Sequence, residues 1–387
     1  SPADSTRTVA YRSFNVAEYR KPEFLVEAAT DKPAYVEGET IELTVDSAFF
    51  FGGPVANAEV RWTLLSDPYY FEYEGEGFYD FTNEPDSRAT PFIPERGFGQ
   101  EIASGTGTTD ANGRFSLEVP VDLTGFQTSQ SYTFDVAVTG LNNQEVATQA
   151  RATVHQGEVY VGLRPTEYLG QVNEANEIEV LAVDWDSQPV ADQAVELVVA
   201  EENWYSVQTL DPEGSRTSPE AQFTWQNLAE NVAVFTTTVT TGPDGLATAT
   251  FTPEQAGNYK VYARTVDQAG NEVFSSAFLW VTGAEFVNWG QEDNDRIELV
   301  ADRDQYNTGE TASILIPPPY SDTVTALITL ERGHIYDYFV TELDSNSSQI
   351  EIPITAEMHP NIYVSATLMD GSSGAGDACA PGAEPMP

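Results

Sequence analysis

Apolar and polar residues alternate with a period of two along most of this chain, and that alternation limits what it can build. Ile41, Leu43 and Val45 are interleaved with Glu42, Thr44 and Asp46. Such a pattern buries one face only if the backbone is extended, because successive strand side chains point to opposite sides. The same alternation recurs at Val159-Val161-Leu163, Ile297-Leu299 and Ile350-Ile352. Turn clusters separate the runs: Asp110-Ala111-Asn112-Gly113, Gly242-Pro243-Asp244-Gly245 and Asp267-Gln268-Ala269-Gly270-Asn271. Glycine at the end of each supplies the positive φ of a tight turn. No amphipathic helical run of any length competes with these strands. The pattern predicts an all-β chain of antiparallel β-sandwiches.

Internal repeats set the number of sandwiches. The string Asp31-Lys32-Pro33-Ala34-Tyr35-Val36-Glu37-Gly38-Glu39-Thr40 returns as Asp302-Arg303-Asp304-Gln305-Tyr306-Asn307-Thr308-Gly309-Glu310-Thr311. A degenerate copy, Arg164-Pro165-Thr166-Glu167-Tyr168, lies between them without the Gly-Glu-Thr. Pro54-Val55-Ala56-Asn57-Ala58-Glu59-Val60 pairs with Pro189-Val190-Ala191-Asp192-Gln193-Ala194-Val195, and the turn at Gly113 pairs with that at Gly245. Ala256-Gly257-Asn258-Tyr259-Lys260-Val261-Tyr262-Ala263 reads as the strand after a corner, and a Tyr there, like Tyr132 at a comparable place, reads as a corner tyrosine of an immunoglobulin-like sandwich. There the ring is buried and the hydroxyl returns to upstream backbone. We therefore expect three tandem immunoglobulin/fibronectin-III-like antiparallel sandwiches at 20–157, 158–283 and 284–371. Residues 1–19 read as the end of a preceding domain or a linker, and 372–387, rich in Gly, Ala and Pro, as a flexible tail.

The length, 387 residues, is right for about three such domains. Charge excludes some partners: 17 Lys and Arg stand against 61 Asp and Glu, a formal net charge of −44. A surface of that sign repels phosphate backbones and anionic lipid, so nucleic acid is not an expected partner. Lys21, Lys32 and Lys260 are the only lysines, a bias also found where high salt favours carboxylate-rich surfaces. The single cysteine, Cys379 in the tail, makes no internal disulfide and reads as an idle thiol. The longest apolar runs are strand-sized, too short to span a bilayer as a helix. The opening Ser1-Pro2-Ala3-Asp4 carries neither an initiator Met nor a signal peptide and reads as excerpted or processed from something longer.

Chemistry is sparse. His155, His334 and His359 lie near strand ends in separate repeats, and none has a Ser or Cys motif around it. Gly105-Thr106-Gly107 falls between polar residues rather than opening a helix. No catalytic, cofactor-binding or metal-ligating residue is assigned, no small-molecule substrate is expected, and the chain reads as non-enzymatic. Asp184-Trp185-Asp186, Glu292-Asp293-Asn294-Asp295 and Asp302-Arg303-Asp304 cluster oxygen ligands near domain ends, where Ca²⁺ could stiffen a joint, but none has the spacing of a calcium loop. A long insertion in the first sandwich, 66–100, is dense in aromatics and carboxylates (Tyr69-Tyr70-Phe71-Glu72-Tyr73, Phe78-Tyr79-Asp80-Phe81). We expect it to pack back on its own sandwich. A protein-contact surface and a glycan site at Tyr69, Tyr70 and Tyr73 are the other readings.

Several strings resemble bacterial alpha-2-macroglobulin-like proteins: Phe14-Asn15-Val16-Ala17-Glu18-Tyr19-Arg20-Lys21-Pro22-Glu23-Phe24, followed by Phe50-Phe51-Gly52-Gly53-Pro54-Val55-Ala56-Asn57-Ala58. Further on, Tyr306-Asn307-Thr308-Gly309-Glu310-Thr311-Ala312, Leu330-Glu331-Arg332-Gly333 and His359-Pro360-Asn361-Ile362-Tyr363-Val364-Ser365 resemble the domain around that family's bait region. The resemblance implies macroglobulin domains, the third of them bait-associated and incomplete here. It also implies a broad-spectrum protease inhibitor, in which a target protease cuts an exposed bait and is enclosed as the domains rearrange. Ala378-Cys379-Ala380-Pro381-Gly382 is not that family's thioester motif, so no thioester residue is assigned in this segment.

On that resemblance the chain is a scaffold segment. Its partners would be target proteases, met through the full-length parent, and neighbouring macroglobulin and thioester domains of the same chain. It would be exported, periplasmic or at the cell surface, with any membrane anchor belonging to the parent. Joints are expected near Gln156-Gly157 and Thr282-Gly283-Ala284. The rival expectation is a cell-surface adhesion stalk of immunoglobulin-like repeats, stiffened by calcium.

Overall fold

The computed structural model describes residues 22–83, 99–140, 142–210, 223–283, 286–287, 289, 296–318 and 323–369. Within them the chain is built of β-strands, almost all paired antiparallel (Leu169–Gln171 pairs parallel with Glu272–Thr282), and contains no α-helix. It divides into two compact units: one formed from residues 1–67, 98–121 and 131–153, the other from 68–97, 122–130 and 154–387.

The first unit holds one sandwich. Its smaller sheet orders β1 (Phe24–Thr30), β3 (Thr40–Phe49) and β6 (Arg114–Pro120) as β1-β3-β6. Its larger sheet adds β2 (Ala34–Val36), β4 (Glu59–Pro68), β5 (Gln100–Thr108), β7 (Gln130–Thr139) and β8 (Glu145–His155), ordered β2-β8-β7-β4-β5. Alternation works as the sequence predicts: Ile41, Leu43, Val45, Val60, Leu64, Phe134, Val136 and Val138 are buried between the sheets.

The second unit contains a sandwich of the same topology. β9 (Tyr160–Pro165), β11 (Asn176–Val183) and β14 (Leu246–Phe251) form the sheet β14-β11-β9. β10 (Leu169–Gln171), β12 (Ala194–Leu210), β13 (Phe223–Thr240), β15 (Gly257–Val266) and β16 (Glu272–Thr282) form the sheet β10-β16-β15-β12-β13. Val161, Leu163, Ile178, Val180, Leu197, Val261 and Leu279 lie in the core between them. Tyr259 behaves as a corner tyrosine, its hydroxyl donating to Gln255 O at 2.8 Å.

The sequence repeats are one hydrogen-bonded clasp used twice. Ser47 N–H donates to Gly113 O (2.9 Å) and Val55 N–H to Ser47 O (3.0 Å); Ala182 N–H donates to Gly245 O (2.9 Å) and Val190 N–H to Ala182 O (2.9 Å). Thr109 and Thr241 lock each copy, their hydroxyls donating to Val55 O and Val190 O at 2.7 Å. Both turn glycines are obligatory: φ is +77° and +75°, and a Cβ would stand 2.4 Å from Ser47 O and 2.6 Å from Ala182 O.

The third sandwich also lies in the second unit. β17 (Val300–Ala301), β18 (Thr311–Leu315) and β21 (Gln349–Pro353) form β17-β18-β21; β19 (Val324–Glu331), β20 (Ile335–Leu343) and β22 (Tyr363–Met369) form β20-β19-β22. By topology β19, β20 and β22 match β4, β5 and β7. Among the described residues there is no counterpart of β8, or of the short β2. That pair of absences is consistent, because β2 has β8 as its sheet neighbour.

The Tyr/Gly-Glu-Thr repeat is a second shared device. The Tyr35 hydroxyl donates to Asp31 Oδ1 (2.6 Å) and accepts from Lys32 N–H (2.9 Å), while Asp31 Oδ1 also accepts from Glu42 N–H (2.8 Å). Tyr306 reproduces this with Asp302 Oδ1 (2.7 Å), Arg303 N–H (3.0 Å) and Ser313 N–H (2.7 Å). Glu39 and Glu310 close each loop on the N–H of Val36 and Asn307 (2.9 and 2.8 Å). Tyr35, desolvated and facing Asp31, has its hydroxyl pKa pushed up to about 12. Hydrogen bonds from Tyr35 and Glu42 hold Asp31 below its ordinary value.

Candidate functional site around the second sandwich

Two contacts on the second sandwich stand where a single immunoglobulin-like domain would face water. The first covers the outer face of its small sheet. The described part of the aromatic insertion, residues 69–83, lies on Tyr160, Leu181 and Val183 and contributes Tyr69, Phe71, Tyr73, Tyr79 and Phe81. This differs from the expected packing on the first sandwich. Phe71 stacks on Tyr160 (4.1 Å, 11°) and meets Phe81 edge-on (5.1 Å, 73°). Asp80 exchanges backbone hydrogen bonds with Leu163 (2.8 and 3.0 Å), so the insertion also caps the free edge of β9. The Tyr79 hydroxyl donates to Glu179 Oε2 at 3.1 Å while the Arg164 guanidinium lies over its ring at 4.8 Å and pairs with Glu179. Burial, against the pull of Arg164, pushes that hydroxyl up to about 12.

His155 sits at the margin of this cluster, not in a catalytic array. Its ring stacks on Trp185 (4.1 Å, 18°), and Nδ1 is 2.6 Å from the Tyr160 hydroxyl. The Tyr160 hydroxyl also bonds Ser129 Oγ at 3.0 Å, and Trp185 Nε1–H donates to Gly157 O at 2.9 Å. Burial drives the His155 pKa down to about 4, so the imidazole is neutral at ordinary pH. Gly157, beside the expected joint, is closely packed within the second unit: a Cβ there would lie 2.7 Å from Val273.

The second contact joins the second and third sandwiches. Leu169, Trp280, Val287, Trp289 and Leu315 form a buried cluster, with the two indoles 5.3 Å apart. Asn346 fixes the linker by accepting from Val287 N–H (3.1 Å), while its backbone oxygen takes the Trp289 indole N–H (2.5 Å). Gln349 Nε2 reaches Thr282 Oγ1 (3.2 Å) across the joint expected near Thr282. Tyr168, the degenerate copy of the repeat, is put to a different use. Four residues before Tyr168, where Asp31 and Asp302 precede their tyrosines, stands Arg164, so no carboxylate receives the hydroxyl at that offset. It donates instead to Asp304 Oδ2 (2.9 Å), and Tyr168 N–H donates to Asp302 O (2.9 Å).

The remaining sequence candidates are not gathered into one site. His334 stacks on Tyr336, and Arg332 binds the carbonyls of Glu357, Met358 and Asn361 at 3.1 to 3.2 Å, fixing the loop before β22. Asp184 accepts from Asp186 and Gln188 N–H (2.9 and 2.8 Å), and Asp302 serves the tyrosine clip, so both candidate calcium clusters carry turn hydrogen bonds. Glu292-Asp293-Asn294-Asp295 and Cys379 lie outside the described residues. Among the described residues no three His, Cys, Asp or Glu side chains converge as a metal site, and no helix is long and apolar enough to cross a membrane. A groove of about 470 Å³ on the first sandwich, lined by Arg61, Asp135, Glu145 and Gln149, is open and bridged by an Arg61–Glu145 pair (3.0 Å).

Sequence reasoning missed the covered face of the small sheet, although a signal for it exists. Val180-Leu181-Ala182-Val183 and Tyr160-Val161-Gly162-Leu163 are unbroken apolar runs, the mark of strands buried on both faces.

Repeated β-sandwiches, the second and third joined through a packed apolar contact, define a tandem β-sandwich protein. The profile of the alpha-2-macroglobulin bait region domain matches residues 297–380, which includes the whole described third sandwich. An alpha-2-macroglobulin homolog of Nostoc sp. is 27% identical over 92% of this chain and 18% of its own length. The alpha-2-macroglobulin of Ralstonia nicotianae is 28% identical over 93% of this chain and 20% of its own. The native conformation of E. coli alpha-2-macroglobulin aligns over 90% of this chain and 23% of that one, at 12% identity and a TM-score of 0.48. Over most of its length the chain is similar to a segment of these bacterial alpha-2-macroglobulins. It spans about a fifth of the length of the curated relatives it matches.

Proposed function

We propose that this chain is a non-enzymatic framework segment of an exported, periplasmic or cell-surface protease inhibitor of the alpha-2-macroglobulin type. It carries the sandwich next to the bait, and its partners are target proteases, met through the full-length parent, and that parent's other macroglobulin domains. The match of residues 297–380 to a bait region domain is the observation that carries this reading. Two features support it. The third sandwich lacks counterparts of β2 and β8 among the described residues, which leaves β22 at the edge where a further strand would pair. The Trp280–Trp289 contact ties that sandwich to its neighbour, so movement around a cut bait would be passed on as a rigid-body motion.

The test is to mix the longer parent protein with a protease and follow its activity on a large protein substrate and on a small peptide. Loss of the first with retention of the second, at stoichiometric ratio, is expected of the parent and not of this chain alone. Inhibition by the 387-residue chain alone would overturn the scaffold assignment. A rise in melting temperature with Ca²⁺, alongside a parent that inhibits nothing, would favour the stalk.

A further inference from the structure

Natural sheets cover, charge or break their edge strands, because alternate N–H and C=O groups of an edge point outward and recruit other strands. The second sandwich obeys this on one side, where Asp80 pairs with Leu163 of β9. On the other side β13 is the last strand of its sheet and, among the described residues, pairs only with β12. From Asn231 to Pro243 it has no charged residue, and no proline occurs before Pro243. It is rich in β-branched residues (Thr236, Thr237, Thr238, Val239, Thr240), and Val232 and Val234 are exposed by 43% and 47%. One protective device is present, a register shift that leaves Val234 unpaired between Ala233 and Phe235.

The counterpart in the first sandwich shows what a guarded edge looks like. β5 is the last strand of the equivalent sheet and has the same kind of register shift opposite Leu64/Leu65. It also carries Glu101, and two glycines, Gly105 and Gly107, over which Trp62 and Phe115 lie. Glycine weakens an edge as a template because it has no side chain to pack and costs more to order. β13 has neither charge nor glycine from Val232 to Thr240.

We propose that the free edge of β13, Val232 to Thr240, is a strand-addition site occupied in the parent protein by an uncharged β-strand from outside residues 1–387. Relatives are about five times as long as this chain, so most of a parent of that size lies beyond it. A second copy is a poor occupant, since each carries a net charge of −44 and the pairing would bring two such bodies together. The proposal rests on the chain being part of such a parent but not on protease inhibition, so a parent that inhibits nothing leaves the test below intact.

Amide hydrogen exchange over residues 231–243 decides it, measured on the 387-residue chain and on the parent. Covering the edge should slow exchange of that peptide at least tenfold in the parent. Replacing exposed Thr236 and Thr238 by Lys should remove the difference, with the melting temperature of the 387-residue chain unchanged as the check on folding. Should the Lys pair unfold the chain, Val234→Lys at the bulge serves in its place. Equal exchange in chain and parent would overturn the proposal. So would protection in the chain alone that grows with concentration and accompanies a doubled mass, which would assign the edge to a second copy.

Discussion

Strands β3 and β11 hold the same place in the first and second sandwiches, yet only β3 alternates cleanly. Its outward residues, Thr40, Glu42, Thr44 and Asp46, are polar and at least partly open to solvent. In β11 the outward positions Leu181 and Val183 are buried beneath the aromatic insertion. The clasp, the turn glycines and the sheet order are shared, so the difference lies in what each sandwich must bury besides its own core. Loss of alternation in a strand of known repeat position is therefore a sequence-level mark of a covered outer face.

Matched substitutions sharpen the contrast most. Leu25 and Tyr160 are equivalent, each pointing outward at the start of its sandwich and paired in register with Ala48 and Val183. Tyr160 is 4% exposed and Leu25 48%. Tyr160→Ala should destabilise by about 3–5 kcal/mol, the range for truncating a packed aromatic. Leu25→Ala should stay within about 0.5 kcal/mol, as exposed substitutions do. Urea unfolding followed by tryptophan fluorescence measures both. Similar losses at the two sites would mean that the insertion contributes no burial of its own.

Acid should separate the aromatic cluster around Tyr160 from the tyrosine clips next. His155 titrates near 6.5 when unfolded and at about 4 when folded, so the native state binds fewer protons between those values. Its contribution is complete above about pH 6.5 and drains away as pH falls toward 4, on the order of 3 kcal/mol in all. The carboxylates of the tyrosine clips, Asp31 and Glu39 in the first sandwich, are held below 3.8 and 4.5 and lose their contribution only at lower pH. Easing of the −44 charge acts in the opposite sense over the same range. Melting temperatures from pH 7 to 4.5 should therefore fall for the wild type and flatten or rise for His155→Phe.

Much of this was legible in the chain. Strand periodicity and the turn glycines announced sandwiches, and the repeats announced their equivalence, because local hydrogen bonding needs Asp, Tyr, Gly and Glu at fixed offsets. The partner of the insertion was not legible, since an aromatic-rich loop states that it must be buried but not against which sheet. The change of role at Tyr168 was equally hidden: Arg164 in place of the carboxylate shows that the clip is absent, while the new acceptor, Asp304, is remote in sequence. The shared clasp gives a control on the equivalence itself. Gly113→Ala and Gly245→Ala should each cost about 1–3 kcal/mol, since both force a Cβ against a carbonyl at positive φ. Equal losses by urea unfolding are expected, and a neutral change at either would show that the two turns are not the same device.

The smallest effect tests the reassigned tyrosine. Removing the Tyr35 hydroxyl strips a donor from Asp31 and an acceptor from Lys32 N–H beside a fully buried ring, so Tyr35→Phe should cost about 1–3 kcal/mol. Tyr168→Phe removes a single bond to Asp304, whose carboxylate is open to water and can rehydrate, and it leaves the backbone bond to Asp302 O in place. About 0.5–1 kcal/mol is expected there. Asp304→Ala, which removes the acceptor, should take most of that amount, and the double variant little more, because both changes break the same contact. Additive losses would show that the Tyr168 hydroxyl stabilises its own sandwich rather than the contact with the next. The degenerate repeat would then be a worn copy of the clip and not a joint.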